Sequence, residues 1–169
     1  MAKRNITIYL AGRFMKYRGY PDWRDYLVEK INEELEDIPL GQEVDIKFYD
    51  PRTDTPQGKG FAKFNDCDRE GVLSSDIVFF FDIAPDNVQE DPGAVNEATI
   101  GIENSKIVIF CTEMSVIHPM FGNYCSGAIS IGMDSGIEFI VTLVEHGIDS
   151  FEAYHQMVEK RKRLRLVHS

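Results

Sequence analysis

Apolar positions along this chain alternate between two spacings. Ile6–Ala11, Val44–Tyr49, Asp76–Asp82 and Lys106–Cys111 are short runs rich in isoleucine, valine and aromatic residues. Their length and apolarity match strands buried in a sheet. Asp76–Asp82 (DIVFFFD) is apolar on both faces, which predicts a central strand. Between these runs the spacing widens. Trp23, Leu27, Ile31 and Leu35 recur every four residues and form one helical stripe. Pro21-Asp22 precedes them, a proline and an acid suited to a helix start. The pattern predicts further helices over Asn65–Ser75, Gly93–Asn104, Asn123–Met133 and Asp149–Arg165, the last with Phe151, Tyr154 and Met157 on one face. Gly136–Val144 reads either as a strand or as a buried helix, and Pro51–Phe61 reads as a long loop of the kind that often serves as a lid. The chain contains no internal repeat, linker or low-complexity stretch.

Strands alternating with helices predict an α/β fold: a doubly wound, mostly parallel five-stranded sheet with helices on both faces, flavodoxin- or Rossmann-like. One domain spanning residues 1–169 is expected. Right-handed crossovers bring the carboxyl ends of all parallel strands to one edge. Gly12, Asp50, Asp82 and Cys111 then share that edge, together with the loops that follow them. Open α/β folds bind small molecules in this place. The predicted pocket is lined by Tyr9–Phe14, the 51–61 loop, Asp68 and the Asp91–Glu97 segment.

Composition narrows the functions available. A formal net charge of −10 disfavours a nucleic-acid polymer as ligand, because the field would repel its phosphates. A single nucleoside or nucleotide remains compatible. No apolar run reaches the roughly 18 residues of a membrane span, and Met1-Ala2-Lys3-Arg4 leads directly into a strand without a signal-peptide pattern. Cys67, Cys111 and Cys125 are widely spaced and form no C-x-x-C motif. They fit buried thiols in a reducing, cytoplasmic setting. His118, His146, His155 and His168 show no metal-ligand spacing, so neither a metal nor any other cofactor is expected. The basic run from Lys160 to Arg165 reads as a solvated helix end.

The candidate chemistry lies in carboxylates. Asp91 and Glu97 occupy the loop-to-helix turn after the third strand, and Asp68 sits on the preceding helix. Three carboxylates directed at one crevice carry a repulsive cost that catalysis or binding explains.

Four ordered segments of residues 6 to about 126 carry a family resemblance: Ile8-Tyr9-Leu10-Ala11-Gly12 with Phe14; Asn65-Asp66 with Asp68, followed by Ser75-Asp76-Ile77-Val78; Asp91, Gly93 and Glu97; and Asn123. In these the chain resembles the nucleoside 2-deoxyribosyltransferases and their N-ribohydrolase relatives. The resemblance implies that Glu97 is a nucleophile trapping C1′ of the sugar, and that Asp68 supplies a proton or hydrogen bond to the leaving base. Asp91 would hold a sugar hydroxyl, and the Tyr9 hydroxyl would position Glu97. Gly12, Arg13, Phe14 and Gly93 would contact substrate, and Asn123 would be donated to a neighbouring subunit's site. Glu97 is expected in the first turn of its helix, near the positive end of the dipole. Asp66 is an alternative to Asp68, Gln57 or Arg52 could reach a base, and a phosphate role for Arg13 is open.

Arg13 stands where many members carry proline, Ala94 where threonine is common, and Val167-His168-Ser169 where transferases often end in tyrosine. The implied substrates are a nucleoside or nucleotide and a free nucleobase, as in nucleotide salvage, with no partner nucleic acid or membrane. A homo-oligomer is expected from Asn123 and from the apolar 136–144 stretch. The leading activity is deoxyribosyl transfer. The alternatives are an N-glycosidase acting on nucleosides or 5′-monophosphates, which Arg13 would favour, and a non-catalytic nucleotide-binding protein, which an intact Glu97 disfavours. A phosphate-receiving regulator is excluded, because Gly12-Arg13 replaces the acidic pair it needs.

Overall fold

The computed structural model describes residues 3–39, 43–56, 60–82, 92–113 and 128–148. In chain order they form β1 (Arg4–Gly12), α1 (Trp23–Glu36), β2 (Val44–Tyr49), α2 (Pro51–Asp54), α3 (Phe61–Ser74), β3 (Ile77–Asp82), α4 (Pro92–Glu103), β4 (Ile107–Thr112), β5 (Ala128–Ile131) and α5 (Met133–His146). The sheet order is β2-β1-β3-β4-β5, and every strand pairing is parallel. Chain order reverses between β1 and β3, which opens a crevice at their carboxyl ends.

Strand alternation sorts side chains onto two faces. Ile6, Ile8, Leu10, Phe79, Phe81, Ile109 and Cys111 pack with Trp23, Leu27 and Ile31 of α1 and with Ile137, Ile140 and Val144 of α5. Tyr9, Ala11, Val78, Phe80, Val108 and Phe110 pack on the other face with Val72 of α3 and Ala94, Ala98 and Ile100 of α4. Asp22 caps α1, its side chain accepting from the Arg24 backbone N–H.

Two sequence expectations change and one open reading resolves. The 123–133 helix gives way, over the residues described, to strand β5, paired with β4 from Ile109↔Ala128 to Thr112↔Ile131. The ambiguous 136–144 stretch lies inside helix α5, so it is not the sheet's fifth strand. Its apolar side chains, including Ile137, Phe139, Ile140, Leu143 and Val144, are buried within the single chain. That stretch therefore gives no ground for an oligomer, and the expectation rests on Asn123 alone. The 51–61 loop is interrupted by α2, which Asp50 caps, and α3 starts at Phe61 rather than at Asn65. The expected closing helix over 149–165 lies outside the described residues.

Candidate active site

β1 ends at Gly12, where φ is +145° and a Cβ would stand 2.6 Å from the Phe81 carbonyl oxygen. Glycine therefore lets β1 turn away against β3 without a clash. The chain that follows forms one wall of a cleft of about 300 Å³ lined by Gly12, Arg13, Phe14, Pro51, Gly93, Ala94 and Glu97. Phe14 is 60% exposed. The cleft sits at the predicted edge, between the loop after β1, the start of α2 and the first two turns of α4.

Glu97 is buried, and its Oε1 accepts a hydrogen bond of 2.9 Å from the Tyr9 hydroxyl. It lies in the second turn of α4, because the helix begins at Pro92, five residues before it. The helix dipole fades within a turn, so the expected dipole support is weaker than the first-turn placement implied. Tyr9 is fully buried and its ring stacks on Tyr49 of β2, with centroids 5.0 Å apart. Burial, reinforced by the Glu97 and Asp68 carboxylates, pushes the Tyr9 phenol far above its ordinary pKa. The phenol therefore stays protonated and acts as a donor.

Asp68 of α3 is also buried and accepts 2.6 Å from the Thr55 hydroxyl. Burial raises its pKa, while the hydrogen bond from Thr55 and then the neighbouring Tyr9 hydroxyl pull it back. Tyr9 thus stands between two carboxylates, one on α3 and one on α4. A buried carboxyl with a raised pKa suits proton donation, and one aligned by a fixed donor suits nucleophilic attack. Asp66 is exposed, unlike Asp68. Asp91 and Asn123 lie outside the described residues, as do Gln57 and Cys125. Among the described residues no group of three His, Cys, Asp or Glu is placed to hold a metal. No helix there is long and apolar enough to cross a membrane.

Several residues of the site were not foreseen. Arg24 is buried beneath the β1 loop. Its Nε donates to the Leu10 carbonyl at 3.1 Å, one terminal nitrogen donates to the Gly12 carbonyl, and the other reaches Arg13 O at 3.3 Å and pairs with Asp22 at 3.0 Å. Its guanidinium also lies 5.3 Å from the centre of the Phe14 ring. Arg52, a candidate base contact, instead forks onto Asp25 and pairs with Asp50 at 2.6 Å. Tyr49 and Thr55 were also missed. One signal for Arg24 was available: a cation in a helix's first turn opposes the dipole, and such a break of a local rule often marks a tertiary role.

Fold and site together define an open parallel α/β domain with a carboxylate–phenol–carboxylate centre at its carboxyl edge. Neither a protein-family model nor a curated protein sequence matches the chain. Several solved structures are similar, two enzymes among them. One is the 2-deoxyribosyltransferase of Bacillus psychrosaccharolyticus, with TM-score 0.50 and 19% identity, covering 78% of this chain and 90% of that one. The other is the Clostridium botulinum CMP N-glycosidase BcmB, with TM-score 0.46 and 17% identity, covering 79% of this chain and 97% of that one. At these identities the first likeness shows the fold and no more.

Proposed function

We propose that the chain is a nucleoside 2-deoxyribosyltransferase working through a covalent glycosyl ester on Glu97. The observation that carries this reading is the hydrogen-bonded pair at the cleft: the Glu97 carboxylate, aligned by Tyr9 at 2.9 Å, with the buried Asp68 carboxyl on the other side of the same phenol. The four segments that resemble the transferase family, and a solved transferase of the same fold, agree with it.

In the first half-reaction a Glu97 oxygen attacks C1′ and the C1′–N bond breaks. The electron pair leaves with the base, and the Asp68 proton goes to the base nitrogen. In the second, a nitrogen of another base attacks C1′ and the ester bond returns its electrons to Glu97. The proton shed by the incoming base returns to Asp68. Two inversions give net retention. Water in place of the second base gives hydrolysis, with the same proton accounting.

A second reading is hydrolysis of a nucleoside 5′-monophosphate. It is favoured by Arg13, a cation on the cleft wall beside Gly12. Incubation with deoxyinosine plus adenine, then with deoxynucleotides alone, separates the two when the products are resolved by chromatography. Transfer predicts deoxyadenosine in the first mixture, and the hydrolase predicts free base only in the second. Glu97→Gln should lose at least about a hundredfold in rate in either case. A folded Glu97→Gln protein with near-parent turnover rules out both, and failure to turn over any substrate leaves nucleotide binding without catalysis.

A further inference from the structure

Asp68 is held by a chain of hydroxyls that reaches back to β2. The buried Thr55 Oγ1 donates to Asp68 Oδ1 at 2.6 Å. The Tyr49 hydroxyl lies 3.1 Å from the same Thr55 oxygen, with either atom able to donate, and 3.2 Å from the Cys67 carbonyl oxygen, which it can only donate to. We propose that Thr55 is a positioning residue that lets Asp68 alternate between carboxylate and carboxylic acid without losing its hydrogen bonds. The role assigned to Asp68 rests on the glycosyl-transfer reading above.

A hydroxyl has one hydrogen to give and lone pairs to receive. When Asp68 is ionised, Thr55 gives its hydrogen to the carboxylate, and Tyr49 gives its own to Thr55. When Asp68 is protonated, its O–H can turn to Thr55, Thr55 gives to Tyr49, and Tyr49 gives to the Cys67 carbonyl. Each hydrogen has an acceptor in both states. A lysine or a backbone N–H in Thr55's place can only donate, and would hold Asp68 in its charged form. Among the described residues, the titratable groups facing this spot are Tyr9 from β1, Tyr49 from β2, Asp54 from α2 and Cys67 from α3 itself, with Glu97 of α4 beyond the Tyr9 hydroxyl. None of them is a cation.

The test uses Thr55→Val, which removes the hydroxyl at nearly constant shape, and Thr55→Ser, which keeps it. The Asp68 side-chain carboxyl is titrated by carbon-13 NMR in the protein without substrate, its signal assigned by its loss in Asp68→Asn. Thr55→Val should bind the Asp68 proton about tenfold more tightly, because the charged form loses the stronger hydrogen bond. The matching limb of the pH–rate profile should move the same way. kcat should fall, with KM within about twofold. Thr55→Ser should stay within about twofold of the parent in both readouts. A Thr55→Val protein whose Asp68 signal titrates as in the parent overturns the proposal, and so does a Thr55→Ser protein that behaves like Thr55→Val. If the parent neither transfers nor hydrolyses nucleosides, the functional reading falls, and the carboxyl titration still decides the role of Thr55.

Discussion

Replacing Arg24 by alanine should unfasten the wall of the cleft and destabilise the fold together. Arg24 is 1% exposed, and burial lowers its pKa against the pull of Asp22 and Asp50. The side chain offsets that cost through the carbonyls of Leu10, Gly12 and Arg13 and through Asp22. Removing one partner of a buried ion pair costs about 3–5 kcal/mol, mostly from the charge left behind. Asp22 is not wholly abandoned here. It still accepts from the Met15 and Arg24 backbone N–H groups, at 2.9 and 3.0 Å, and Arg52 remains at 3.7 Å. The lower end is therefore expected, about 3 kcal/mol, or a fall of about 6–12 °C in melting temperature for a chain of this size. Arg24→Lys keeps the charge but not the planar fork, and its three N–H donors cannot serve three carbonyls and Asp22 together. It should cost about half as much. Urea and thermal unfolding followed by circular dichroism measure both. If Arg24→Ala unfolds within about 1 kcal/mol of the parent, the idea that the guanidinium clamps the β1 loop is wrong. Turnover should also drop at temperatures where Arg24→Ala is fully folded, because Gly12 to Phe14 form one side of the cleft.

The parts of the fold that were legible are those in which one residue pattern has one structural meaning. β3 is apolar at both pleat positions, because Phe79 and Phe81 face α1 and α5 while Val78 and Phe80 face α3 and α4. Only a central parallel strand asks for that. The edge rule then located Glu97, Gly12 and Phe14 on one cleft with no side-chain geometry needed. Where a pattern has two meanings, the reading failed or stayed open. β5 is four residues long, too short for its alternation to stand out against the helical spacing around it. α5 is so apolar that helix and strand read alike until Gly132, at φ +86°, marks the break between them. The site's hydrogen bonds were legible only through the family resemblance. Tyr9 and Glu97 are 88 residues apart, and no local rule connects a strand phenol with a carboxylate that distant. Thr55 and Tyr49 had no family motif to flag them, and Arg24 looked like an ordinary charged residue beside an apolar stripe.

Tyr9→Phe should keep the fold and lose roughly ten- to a hundredfold in kcat/KM, the value of one hydrogen bond to a charged group; steady-state kinetics with unchanged circular dichroism would show it. Gly71→Ala should destabilise by about 1–3 kcal/mol in urea unfolding, because its Cβ would stand 2.6 Å from the Tyr49 ring on which Tyr9 stacks. Light scattering is expected to show a multiple of 19.3 kDa, and a stable, fully active monomer would exclude the shared-site oligomer that Asn123 suggests. Burial raises the pKa of Asp68 above its ordinary value of 3.8, which makes stability depend on pH. A native pKa above the unfolded one means that the folded chain holds this proton more tightly. Below about pH 3.8 both states are protonated, and the group costs nothing. As pH rises through the native pKa the unfolded chain has already ionised, so this group's contribution to stability falls and stays low at neutral pH. Asp68→Asn cannot ionise and should therefore melt above the parent at pH 7, with the gap closing as pH approaches 4. Scanning calorimetry across that range checks it. An Asp68→Asn protein that melts below the parent at pH 7, by a margin that does not shrink on acidification, would show that the ionised carboxylate stabilises the fold and that burial is not what dominates at this site.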